Sequence, residues 1–151
     1  AREFFENRDG GSGQYAMNIA ACYNYIGDVC REMKEYQSAL SYYKIAIEKG
    51  TEKVVTNGLG QFYSNVGQMY YFMEKNTEAR TYLEKAIACF EKNGYYWGLE
   101  RAEAYMALVL LRFDEKEQAK KHYKKAVSLT EKMNNPTTVS VIRQISKEAG
   151  F

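Results

Sequence analysis

Few side chains in this 151-residue chain could do covalent or metal chemistry. His122 is the sole histidine, and it stands among Lys120, Lys121, Lys124 and Lys125. A general base needs a partner to orient it, and none lies near in sequence, so His122 reads as part of an exposed, solvated face. The lysine run could at most touch an acidic partner. Cys22, Cys30 and Cys89 are an odd set with no Cys-x-x-Cys pair, which argues against a disulfide framework or a metal site. On one helix, Cys22 and Cys30 would lie about 12 Å apart along the axis, too far for a disulfide. All three read as small buried thiols in a reducing compartment. Gly58-Leu59-Gly60 lacks the strand–turn–helix setting of a nucleotide loop, and no GxxxxGK[ST] occurs. The acidic residues lack metal-ligand spacing. No enzymatic activity, metal or cofactor is expected.

What remains is recognition chemistry. Amides offer both a donor and an acceptor to a peptide backbone, and tyrosine and arginine are frequent binding anchors. Such residues gather in three clusters: Asn24, Tyr25 and Asp28; Gln61, Asn65 and Gln68; Arg101, Tyr105 and Arg112. They can act together only if a repeated scaffold brings the clusters side by side.

The chain has that repeat. Tyr23-Asn24-Tyr25-Ile26-Gly27, Tyr63-Ser64-Asn65-Val66-Gly67 and Glu103-Ala104-Tyr105-Met106-Ala107 align at a spacing of 40. Twelve residues after each small residue stands an alanine: Ala39, Ala79, Ala119. Four later comes Tyr43, Leu83 or Tyr123, and three later Ala46, Ala86 or Ala126. Offsets of three and four mark one helical face. The first helix carries its apolar face through Ile26, Val66 and Met106, then Cys30, Tyr70 and Leu110. Polar turns, Glu32 to Glu35, Glu74 to Thr77 and Asp114 to Glu117, separate it from the second. Each unit is an antiparallel helix pair with tiny residues at the tight crossing, and the fold class is all-α.

This pattern resembles the tetratricopeptide repeat, which has an apolar and a small residue on the first helix and Ala…aromatic…Ala on the second. The likeness covers residues 14 to 133, as units 14–53, 54–93 and 94–133. The period is 40 where the family usually has 34. The surplus falls between the last alanine of one unit and the small residue of the next, so the second helix should be longer at its end and the first at its start. Long repeats of this kind look like those of bacterial regulators and signalling proteins. Two departures stand out: Glu103 replaces the aromatic of Tyr23 and Tyr63, and the closing proline is missing after the first two units.

The resemblance implies an α-α superhelix with the first helices on its concave side. The nine clustered residues should line that groove and hold a protein or peptide segment. Some members clamp a C-terminal carboxylate with Lys, Asn, Asn, Lys and Arg. Asn65 and Arg101 match two of these, but Asn24 replaces a lysine, Asp28 an asparagine and Tyr105 the final arginine. Asp28 would repel a carboxylate, so a mixed polar-aromatic groove is expected instead of a full clamp. Replacing Asn65 and Arg101 by alanine should then weaken binding with stability unchanged. Tyr95-Tyr96-Trp97 is either filler between units or an aromatic lip on the groove.

Ala1-Arg2-Glu3-Phe4-Phe5-Glu6-Asn7 aligns without gaps on Ala86 to Lys92, so residues 1–9 read as the tail of a preceding second helix cut from a longer protein. Gly10-Gly11-Ser12-Gly13 reads as a loop. Asn135-Pro136 signals a helix start, and Val139, Ile142 and Ile145 give a helix over 136–149 an apolar stripe. Lys147 sits in the register of Gly27, Gly67 and Ala107 and cannot serve that crossing, so this helix caps the array or leads onward.

Composition agrees with a binding module. Lys+Arg number 21 against 19 Asp+Glu, a net +2, too balanced for a polyanion binder, so nucleic acid is not an expected partner. The longest apolar run, Ala104 to Leu111, is eight residues, far below the roughly 20 that span a bilayer. A cytoplasmic peptide- or protein-binding region of a larger regulator is the leading expectation. Self-association through exposed edges, near Phe4, Phe5 and the last helix, is its alternative.

Overall fold

A computed structural model describes residues 13–51, 58–94 and 96–151. The expected tail over 1–9 and most of the glycine-rich loop lie outside the described residues. The described chain forms seven helices and no strand: α1 Gly13–Glu32, α2 Tyr36–Thr51, α3 Leu59–Phe72, α4 Asn76–Asn93, α5 Leu99–Arg112, α6 Lys116–Met133 and α7 Pro136–Ala149. They pair as α1/α2, α3/α4 and α5/α6. The second helix of each pair packs on the first helix of the next, α3 meets α5, and α7 closes on α5 and α6. The result is an α-α superhelix.

One turn is built three times inside the pairs. Lys34, Glu74 and Asp114 have φ of 60°, 61° and 59°. At each, the next amide donates back to the carbonyl five residues earlier: Glu35 to Cys30, Lys75 to Tyr70 and Glu115 to Leu110, at 2.9, 2.9 and 3.0 Å. This left-handed closure satisfies carbonyls that the end of a helix leaves unpaired. It reverses the chain within three residues, which makes the partners antiparallel.

The crossings within the pairs explain the small residues. A Cβ on Gly27 would stand 2.6 Å from Tyr43 Cε1, and one on Gly67 would stand 2.7 Å from Leu83 Cγ. Ala39, Tyr43 and Ala46, like Ala79, Leu83 and Ala86, are fully buried. The Tyr43 ring and Leu83 fill the space that the two glycines leave.

The surplus of each unit is placed differently from the sequence expectation. The second helices do run long, to Asn93 and Met133, but α3 and α5 start only at Leu59 and Leu99. Gly58 and Gly98, with φ of 93° and 100°, break the chain just before them. A left-handed residue cannot extend a helix backwards, so neither first helix gains length at its start. α7 begins as its signal requires, with Asn135 Oδ1 accepting from Thr137 N at 3.0 Å. Its buried stripe is Thr138, Val141 and Ile145, with Val139 and Ile142 half-buried. The 3,4 spacing follows the straight helix better than the 3,3 spacing expected.

Two expectations about burial fail. Cys22 is exposed, and Cys30 and Cys89 are half-buried. Among the described residues no helix pair precedes α1, and its outer face is open. Tyr25 is 70%, Ile26 40%, Val29 46% and Met33 62% exposed. The equivalent Val66, Met69, Met106 and Val109 are buried under the preceding pair.

Candidate ligand-binding groove

The first helices and the segments that precede two of the helices enclose a polar cavity of about 180 Å³. α1 contributes Asn24 and Asp28, and α3 contributes Gln61, Ser64, Asn65 and Gln68. α5 contributes Glu100 and Arg101, while Trp97 and Gly98 before it and Asn135 before α7 complete the wall. Residues three or four apart stand on one helical face, so Asn24 with Asp28, and Gln61 with Asn65 and Gln68, turn inward together.

Internal bonds hold most of these groups. Asn65 Nδ2 donates to Asn24 Oδ1 at 2.8 Å across two pairs. The Tyr43 hydroxyl donates to Asp28 Oδ1 at 2.6 Å. Burial, then this bond and the charge of Asp28, push the Tyr43 phenol well above its ordinary range. Gln68 Nε2 donates to Ser64 Oγ at 2.9 Å, and Gln61 Nε2 to the Trp97 carbonyl at 3.4 Å. Asn135 Nδ2 donates to Glu100 Oε1 at 3.4 Å.

Three polar atoms of the wall are buried without a hydrogen-bond partner: Gln68 Oε1, Glu100 Oε2 and Arg101 Nε. Gln68 is 0% and Glu100 3% exposed. Burial, then the nearby charge of Arg31, lowers the Arg101 guanidinium below its usual pKa. Buried polar atoms normally find partners, so three orphans around one cavity mark it as a place for another polar group.

A second cavity, about 460 Å³, opens between α4 and α6. Several of its polar groups are already paired. Arg80 pairs with Glu84 and Glu115, and His122 pairs with Glu103. Ile87, Met106 and Leu110 are among its apolar wall. None of its described lining atoms is both buried and unpartnered, in contrast to the groove cavity.

Six of the nine expected groove residues therefore meet at one cavity: Asn24, Asp28, Gln61, Asn65, Gln68 and Arg101. The other three go elsewhere. Tyr25 lies on the open outer face of α1, 70% exposed. Tyr105 is 5% exposed, edge-on to Tyr71 and Phe72 at 5.7 and 5.8 Å. Its hydroxyl accepts from Arg31 Nη2 at 3.4 Å. Arg112 lies 3.7 Å over the Tyr71 ring and donates from Nη1 to the Tyr71 carbonyl at 2.7 Å and to Asn76 Oδ1 at 2.9 Å. Tyr105 and Arg112 thus fasten one pair to the previous one. Trp97 is 62% exposed and borders the cavity, while Tyr96 is exposed, so neither ring is buried between units. Tyr95 lies outside the described residues.

Two groups escaped the sequence reading. Glu100 enters the cavity from the first turn of α5. His122 is no solitary surface residue: Nδ1 lies 2.5 Å from Glu103 Oε2, and Glu103 is 1% exposed. The signal was in the repeat. The equivalent pair one unit earlier is Tyr63 and Tyr82, with ring centroids 6.3 Å apart. Glu103 and His122 replace both rings at once.

The family model described as tetratricopeptide repeat matches residues 59–132. Those residues carry tetratricopeptide repeats. The solved TPR domain of Arabidopsis FLU matches this repeat protein with a TM-score of 0.70 and 18% identity, over 80% of this chain and 98% of that one. Aspartyl phosphate phosphatase F of Bacillus subtilis matches with a TM-score of 0.74 and 17% identity, over 87% of this chain and 34% of that one. At these identities the likeness is one of fold. The Type II methyltransferase M.CeqI of Rhodococcus hoagii is 32% identical over 107 residues, which are 71% of this tetratricopeptide chain. The chain spans only 20% of that relative's length. Among the described residues, no helix is long and apolar enough to cross a membrane, and no three His, Cys, Asp or Glu side chains gather as a metal site.

Proposed function

We propose that this chain is a non-catalytic binding module, which holds a protein or peptide segment in the groove lined by α1, α3 and α5. The observation that carries the reading is the convergence of groove residues from three helices on one polar cavity with buried, unpartnered atoms. Repeats of one kind stack into a stiff array and present such a surface without needing to move. The module serves as the sensory or docking region of a larger cytosolic regulator, a transcriptional regulator or a signalling enzyme. The bacterial relative, much longer than the stretch it shares, supports a place beside another domain. Nucleic acid and membrane are not its partners; the near-neutral charge supports the first exclusion.

Capture from a host lysate, with the Asn65→Ala/Arg101→Ala variant in parallel, tests the reading. A segment held by the wild type and lost by the variant is the expected outcome. Equal capture by both would overturn the groove. The structure alters one part of the expectation: Asn65 is 8% exposed and bonded to Asn24. Its loss should lower stability by about 1 kcal/mol, so capture is measured well below the variant's melting temperature.

Self-association is the second reading, and the open face of α1 favours it. Tyr25, Ile26, Val29 and Met33 form one stripe, and its counterparts in α3 and α5 are met by a neighbouring pair. A second copy that covers it would give a mass rising with concentration in sedimentation equilibrium. Ile26→Glu with Val29→Lys should return the chain to monomer; a mass that does not change with concentration would end this reading.

A further inference from the structure

We infer that the groove cavity is shaped for a neutral carboxamide, the side chain of a glutamine or asparagine carried by the bound segment. This rests on the groove reading above and names the ligand chemistry within it. The three unpartnered atoms set the demand. Gln68 Oε1 and Glu100 Oε2 are acceptors that need donors, and Arg101 Nε is a donor that needs an acceptor. A primary carboxamide has two N–H donors and one carbonyl acceptor, which matches that set in number and kind.

Charge excludes the obvious rivals. A carboxylate suits Arg101, but Asp28 and Glu100 on the same wall repel it. It also has no proton for Gln68 Oε1. An ammonium can donate to Gln68 and Glu100, but it has no acceptor for Arg101 Nε and meets the charge of Arg101, with Arg31 close by. Size sets a further limit. At about 180 Å³ the cavity lies below the roughly 300–1,000 Å³ of drug-sized pockets, so it takes one side chain while the rest of the segment lies outside, beside the exposed Trp97.

The test uses three capped amino acids as probes: the N-acetyl, N-methylamide forms of glutamine, glutamate and lysine. Each is titrated into the isotope-labelled chain, and the Arg101 Nε–H and Gln68 Nε2–H₂ cross-peaks are followed by NMR. The glutamine probe should shift both saturably, with the glutamate and lysine probes about tenfold weaker. Gln68→Met, of similar size but without the amide, should erase that preference. If that variant fails to fold, the three titrations of the wild type decide alone. A glutamate or lysine probe that binds best would overturn the carboxamide while leaving the groove as a binding site. No saturable shift from any probe would overturn the inference too, and capture with the double variant would then judge the groove separately.

Discussion

At the scale of single residues, Glu103 and His122 show how a repeat tolerates exchange. Two tyrosines fill this site in the second pair; a carboxylate and an imidazole fill it in the third. A buried carboxylate is tolerable only while its partner stays. His122→Ala should therefore lower stability by about 2 kcal/mol, the cost of a buried acceptor left without its partner, read from urea unfolding. Glu103→Tyr with His122→Tyr restores the rings of the second pair and should be at least as stable as the wild type. A double variant less stable than His122→Ala would refute this account. Residue chemistry was legible where one helix sets it. The spacing of Asn24 with Asp28, and of Gln61 with Asn65 and Gln68, already places each set on one face. It failed where a neighbouring pair decides. Tyr105 and Arg112 stand on the first helix as expected, but Tyr71, Phe72 and Asn76 of the previous pair capture them. No spacing within α5 reports that contact.

At the scale of elements, the helix pairs were legible because their crossings leave a residue-by-residue trace. Ala39, Ala79 and Ala119 are each fully buried, as are Leu83, which meets Gly67, and Ala86. Turn conformation left a weaker trace. Lys34, Glu74 and Asp114 share one left-handed geometry, yet none is glycine or asparagine, the types that usually mark it. Any side chain there carries steric strain that glycine avoids. Glu74 is exposed, so Glu74→Gly should raise stability by about 0.5–1 kcal/mol. Gly67→Ala makes the opposite change. Its new methyl would stand 2.7 Å from Leu83 Cγ and 3.2 Å from the Leu83 backbone nitrogen. Overpacking of this kind should cost about 1–3 kcal/mol. Thermal unfolding of the two variants side by side checks both signs, and a stable Gly67→Ala would mean that the crossing can open.

At the scale of the whole molecule, the tyrosines tie the array to pH. Tyr43 belongs to the first pair, Tyr63 and Tyr71 to the second, and Tyr105 to the third. Burial is the largest cause raising each phenol above its ordinary pKa. In the unfolded chain these groups release their protons near pH ~10. Below that pH both states hold the proton, and the stabilising contribution is complete. Above it the unfolded state ionises first, so stability falls as pH rises toward the folded values. The four shifts share a sign, and they are spread over every pair, so the loss should be felt by the array as a unit. The melting temperature should hold steady up to pH ~9 and decline steeply above pH ~10. Tyr43→Phe removes one titrating phenol and also the donor to Asp28. It should melt lower at neutral pH and lose less on the way to high pH. A melting temperature that stays flat through that range would show that the phenols ionise as freely in the folded array as in the unfolded chain.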